Sequence, residues 1–83
     1  MSKPTKRELI TDLNSDAMFT EGFDAAIIGY DAAGSCCVYD YDKCLQILIG
    51  RDEMHYSEAH EFMENVVGYC VGDFPPIYLH SLN

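Results

Sequence analysis

Residues 40–72 read DYDKCLQILIGRDEMHYSEAHEFMENVVGYCVG, two amphipathic segments joined by a charged turn, and they hold the clearest periodicity in the chain. In the first segment Tyr41, Cys44, Leu45, Leu48 and Ile49 recur at helical spacing. Asp40 or Asp42 can accept a hydrogen bond from an unpaired N–H of the first turn, so a helix is expected from about Tyr41 to Arg51. Gly50 weakens its end, and Asp52-Glu53 adds a polar break. In the second segment Ala59, Phe62, Met63, Val66, Val67 and Cys70 mark one stripe, Glu58, Glu61, Glu64 and Asn65 fall away from it, and Gly72 supplies a stop. Two such helices across a short link form a hairpin whose stripes cannot bury on each other alone. A third layer is required, and Phe62, Val66, Leu45 and Leu48 are expected where it meets them.

That layer is legible on either side of the pair. Ala25 to Tyr30 (AAIIGY) and Ser35 to Tyr39 (SCCVY) are β-compatible runs separated by DAAG, where Asp31 suits the start of a turn and Gly34 can take positive φ. After the pair, Asp73-Phe74-Pro75-Pro76 blocks helix, and Ile77-Tyr78-Leu79-His80 alternates like a third strand. Upstream, Thr5 stands three residues before Glu8 as in a capping box, and Leu9, Ile10 and Leu13 give a short helix one apolar edge. Met18, Phe19 and Phe23 read as anchors for the segment that follows, and residues 1–4 as a frayed start. The expected fold is α+β, in the order α-β-β-α-α-β: a single small domain over residues 1–83, with a three-stranded, mostly antiparallel sheet and the helical hairpin packed on one face.

Alternation sorts that sheet. With Ile77 and Leu79 toward the helices, Tyr78 and His80 point the other way; Cys36 and Val38 then face inward, and Cys37 and Tyr39 outward. Tyr30 and Ile28 join this second face, which is lined by tyrosines. Either the first helix covers it or it stands open.

Eighty-three residues bury only about 60% of the surface their unfolded form exposes, so a symmetric dimer or a bound partner would add needed stability. No run approaches the ~20 apolar residues of a membrane-spanning helix, and MSKPTKRE lacks the apolar core of a signal peptide. A cytoplasmic protein with free thiols at Cys36, Cys37, Cys44 and Cys70 is the expectation. Fourteen acidic against five basic residues give a formal charge of −9, which disfavours phosphate backbones and anionic membranes as partners.

Catalytic and metal signatures are weak. No two cysteines have zinc-knuckle spacing, and His55, His60 and His80 do not share a helix face. The Glu-x-x-His step of helical di-iron sites is missing around Glu58, Glu61 and Glu64, and there is no phosphate-binding glycine loop. Neither an enzyme nor a cofactor or metal site is expected.

The run VYDYDKC, followed by RDEM, YSEAHEF and NVVGYCVG, resembles small uncharacterised acidic proteins of bacteriophage genomes. The resemblance covers about Gly22 to Leu79. It implies a phage origin and the same α+β order, and carries no catalytic residue with it. The usual pattern has serine where this chain has His55, which weakens the capping box with Glu58 and moves the expected helix start to Ser57.

Two kinds of function follow. The first is an accessory protein that binds a basic surface of a host or phage protein, presenting carboxylates where phosphates would sit and so blocking a nucleic-acid-handling or defence enzyme. Its contact residues would be Asp40, Asp42, Asp52, Glu53, Glu58, Glu61 and Glu64 along one side of the hairpin. The second is a nucleic-acid binder that stacks bases on Tyr30, Tyr39 and Tyr78, a mode opposed by the surrounding negative charge. A plainer third reading is a structural or regulatory homo-oligomer whose carboxylates only keep it soluble.

Overall fold

Asp40 ends a strand and caps a helix at once. The computed structural model, which describes residues 3–70 and 72–82, runs α1 (Lys6–Leu13), a 3₁₀ turn (Asp24–Ala26), β1 (Ile27–Tyr30), β2 (Cys37–Asp40), α2 (Tyr41–Arg51), α3 (Tyr56–Gly68) and β3 (Ile77–Leu79). The chain is α+β in the expected order. The expected frayed start falls partly on Met1 and Ser2, outside the described residues; Lys3 and Pro4 are exposed. Among the described residues no helix is long and apolar enough to cross a membrane.

The three strands lie in the order β1-β2-β3. β1 pairs with β2 antiparallel, but β2 pairs with β3 parallel, so the sheet is mixed and the expectation of a mostly antiparallel one is corrected. The connection explains the direction. An antiparallel pair needs only a short reversal, whereas a parallel neighbour needs a crossover of a dozen or more residues. Residues 41–76 provide one: α2 and α3, then a segment through Pro75 and Pro76 that reaches back so that Ile77 starts beside Val38.

The facing of the strands is also the reverse of the alternation argument. Cys37 and Tyr39 are fully buried, Val38 only partly. Tyr78 sits opposite Tyr39 in the register and stacks on it with ring centroids 5.4 Å apart, while Leu79 is exposed. Every candidate inward position of β2 is apolar, so no polar residue fixes the parity, and a one-residue slip exchanges the faces. What fixes it is the loop after α1: the Thr20 backbone N–H donates to Tyr39 Oη at 2.8 Å, and Thr20 Oγ1 bonds to Tyr78 Oη. The tyrosine side is thereby sealed by the segment that joins α1 to the 3₁₀ turn. Of the anchors expected there, Phe23 is buried, Phe19 half-buried beneath the Arg7 guanidinium, and Met18 exposed.

In the β1–β2 turn Asp31 receives the N–H groups of Gly34 at 2.9 Å and Cys36 at 2.6 Å, which hold its carboxyl below the usual range. The positive φ falls on Ser35, not on Gly34.

α2 needs no linker from β2. Asp40 Oδ1 accepts from the N–H groups of Asp42 at 3.0 Å and Lys43 at 3.3 Å, satisfying two of the orphan donors of the first turn. The far end closes with the N–H groups of Asp52 at 3.1 Å and Met54 at 3.2 Å both on the Leu48 carbonyl, which satisfies one of the orphan acceptors of the last turn. Glu53, at φ 56°, occupies the left-handed position that glycine normally fills. α3 starts at Tyr56 rather than Ser57: His55 takes the cap position, and its N–H reaches Glu58 Oε1 at 3.5 Å. It ends at Gly68, before the expected stop at Gly72.

α2 packs on α3, on β2 and on the 3₁₀ turn, while α1 touches β1. Leu45, Leu48, Cys44, Ala59 and Met63 join Tyr39, Tyr41, Cys37 and Ile27 in one core. Val66 is half-buried, but Phe62, expected to be buried where the helices meet the sheet, is 42% exposed, a correction to that expectation.

Candidate interaction surface

The seven carboxylates expected to form one face do not act alike, and three of them are engaged elsewhere. Asp40 is a helix cap and partly buried. Asp52 holds Arg51 in a two-point pair, 3.1 Å at each contact, and this lowers its carboxyl pKa. Arg51 also donates to the Gly22 carbonyl at 2.6 Å, so the pair ties the end of α2 to the turn before Phe23. Gly22 sits there at φ 89°, where a side chain is disfavoured. Glu64 turns away from Glu58 and Glu61, accepting from Tyr41 Oη at 3.4 Å and lying 3.8 Å from His60 Nε2.

The remainder is smaller and more specific. Asp42, Glu53 and Glu61 are exposed, and among the described residues their carboxylates have no hydrogen-bonded or ionic partner. Glu58 and Glu61 line a shallow groove of about 280 Å³ with Met54, Phe62 and Asn65. Glu58, Phe62 and Asn65 follow one another at i, i+4 and i+7, so they form a continuous ridge along α3. An exposed aromatic ring between two exposed carboxylates, one of which also receives the His55 N–H, is therefore what this face offers.

The tyrosines divide as well. Tyr30 is 52% exposed at the sheet edge, Tyr39 has no exposed surface and Tyr78 is half-buried. Burial raises the Tyr39 phenol and pushes Tyr78 up to about 12. They cannot stack bases together, and of the two arrangements expected, a face covered by the first helix or an open one, neither describes Tyr39 and Tyr78, whose hydroxyls are bonded to Thr20 in the loop after α1.

One cluster escaped the sequence reading. His80 packs on Tyr41 with centroids 4.2 Å apart, His60 approaches the same ring edge-on at 6.0 Å, and Tyr56 lies 6.2 Å from His60. The His60–Glu64 spacing of four was visible in the sequence; the arrival of His80, just after the third strand, was not. Burial, then the nearby Glu64 carboxylate, raises the Tyr41 phenol.

The cysteines are poor nucleophiles. Burial raises the thiols of Cys36 and Cys37 and pushes Cys44 up to about 12, the direction opposite to that of a reactive thiolate. Cys70 is partly exposed, its Sγ 3.3 Å from the Val66 carbonyl. With a thiol reagent near pH 8, the folded protein should react quickly at Cys70 alone and at all four thiols once unfolded. Four fast thiols in the native state would contradict the packed β2–α2 joint.

No family model matches the chain, and neither curated proteins nor solved structures yield a match.

Proposed function

We propose that this chain acts by protein–protein interaction, binding a basic surface of a host or phage protein through the ridge of α3. The observation that carries the reading is Phe62, half-exposed beside Met54 and bordered by Glu58 and Glu61. A solvent-exposed aromatic anchor ringed by carboxylates suits a surface that sets an apolar residue among lysines and arginines. The ring would supply affinity and the charge would steer approach. A net charge of −9 extends that steering field and disfavours direct contact with nucleic acid.

The partner class follows from the same chemistry. A nucleic-acid-handling or defence enzyme carries a basic groove, and carboxylates laid along it would exclude phosphates, so inhibition is the proposed outcome. The phage origin and the host cytoplasm as the place of action come from the VYDYDKC and NVVGYCVG resemblance. In this reading α2 and α3 form one layer on one face of the sheet, which holds the ridge outward. No catalytic step, cofactor or metal is part of it.

Affinity capture from host or infected cells tests it, run in parallel with the tagged wild type, Phe62→Ala and the double variant Glu58→Gln/Glu61→Gln. Wild type should retain one dominant protein, with salt-sensitive binding that weakens about tenfold in each variant, equivalent to ~1.4 kcal/mol. A partner held equally by all three and indifferent to salt would move the contact off α3.

A further inference from the structure

We propose that the groove between α1 and the outer edge of β1 receives a second copy of this chain, related by a two-fold axis. α1 carries Leu9, Ile10 and Leu13 on one side, yet only Ile10 is buried; Leu9 is 50% and Leu13 54% exposed. Alongside it β1 is the outermost strand and presents Ile28 at 44% and Tyr30 at 52% exposure. Between them lies a groove of about 190 Å³ whose one charged lining residue is Lys6.

Backbone and charge both select a copy of the same chain. An edge strand leaves a row of N–H and C=O groups without a strand partner. Lys6 Nζ satisfies the Ile27 carbonyl at 2.7 Å, which leaves the edge from Ile28 to Tyr30 for pairing. Two identical edges can pair antiparallel about a two-fold axis, so the patch is complementary to itself. The resulting sheet would have six strands, with Leu9 and Leu13 of each α1 covering Ile28 and Tyr30 around the junction. Each copy carries −9, and the repulsion between copies is least across a face whose lining holds a lysine and no carboxylate. The ridge around Phe62 belongs to another element and stays free, so this assembly stands or falls independently of the function proposed above.

Stable interfaces bury roughly 800 Å² per partner, more than four half-exposed side chains supply, so the dimer should be weak, with a Kd on the order of 10 µM. Sedimentation equilibrium from about 1 to about 500 µM, which brackets that constant, should show the mass rising from monomer to dimer. Added salt should strengthen association, because it screens the repulsion between two acidic copies. Leu9→Glu and Ile28→Lys replace side chains already open to solvent, so each should keep the native circular dichroism and remain monomeric. In wild type, amide exchange at Ile28 to Tyr30 should slow as concentration rises. A monomer mass throughout overturns the proposal. So does a dimer that persists in both variants, or one whose β1 amides exchange at the same rate at every concentration.

Discussion

A Leu48→Ala protein is expected to lose about 3–4 kcal/mol of stability, and a Phe62→Ala protein less than about 1 kcal/mol. Leu48 has no exposed surface and sits on the face of α2 turned into the core, so truncation removes buried methyl groups and leaves a cavity that the neighbouring Tyr39, Ala59 and Met63 cannot fully close. For a chain of this length the whole margin is about 4–12 kcal/mol, so the change consumes a large part of it. Phe62 starts from 42% exposure and loses contacts mainly with Met54 and the carboxylate stems beside it. Urea midpoints of the two variants against wild type give the comparison directly. If Phe62→Ala proved the more destabilising, α3 would have to turn its ridge inward, and both the groove and its proposed role would go.

Tyr39→Phe should cost about 2 kcal/mol although it removes a single oxygen. The ring stays on Tyr78, so little apolar burial changes; what is lost is the acceptor for the Thr20 N–H. A part-buried donor without a partner carries its desolvation penalty uncompensated. Tyr78→Phe should cost less, because Tyr78 is partly exposed and water can reach the freed Thr20 hydroxyl. Equal losses in the two variants would show that Thr20 does not hold the loop through Tyr39.

The α2 stripe, apart from Ile49, which is exposed, and the element order were legible because each rests on local chemistry. Asp40 before Tyr41, Thr5 before Glu8 and the Pro75-Pro76 stop each act within a few residues of their own position. The parity of β2 was not, since Cys36-Val38 and Cys37-Tyr39 are equally apolar sets and only Thr20, a residue far away in the chain, separates them. The direction of β3 depends on how far residues 69–76 travel after α3, which periodicity does not encode. Phe62 lies at the margin of the Ala59, Met63 and Val66 stripe, where a small rotation of the helix decides between core and solvent. Of the acidic face, charge counting identified the residues but not their engagements: Arg51 takes Asp52, Tyr41 takes Glu64, and Glu58 and Glu61 remain on the groove.

The junction at Asp40 has a consequence for how this chain can change. Because one residue serves as the last rung of β2 and the cap of α2, no slack separates the phase of the strand from that of the helix. Inserting one residue there would turn α2 by about 100° about its axis, carrying Cys44, Leu45 and Leu48 off the core together. Lengthening should therefore be tolerated after Pro4 or between Gly72 and Phe74, while the boundary between Asp40 and Tyr41 admits no change in length.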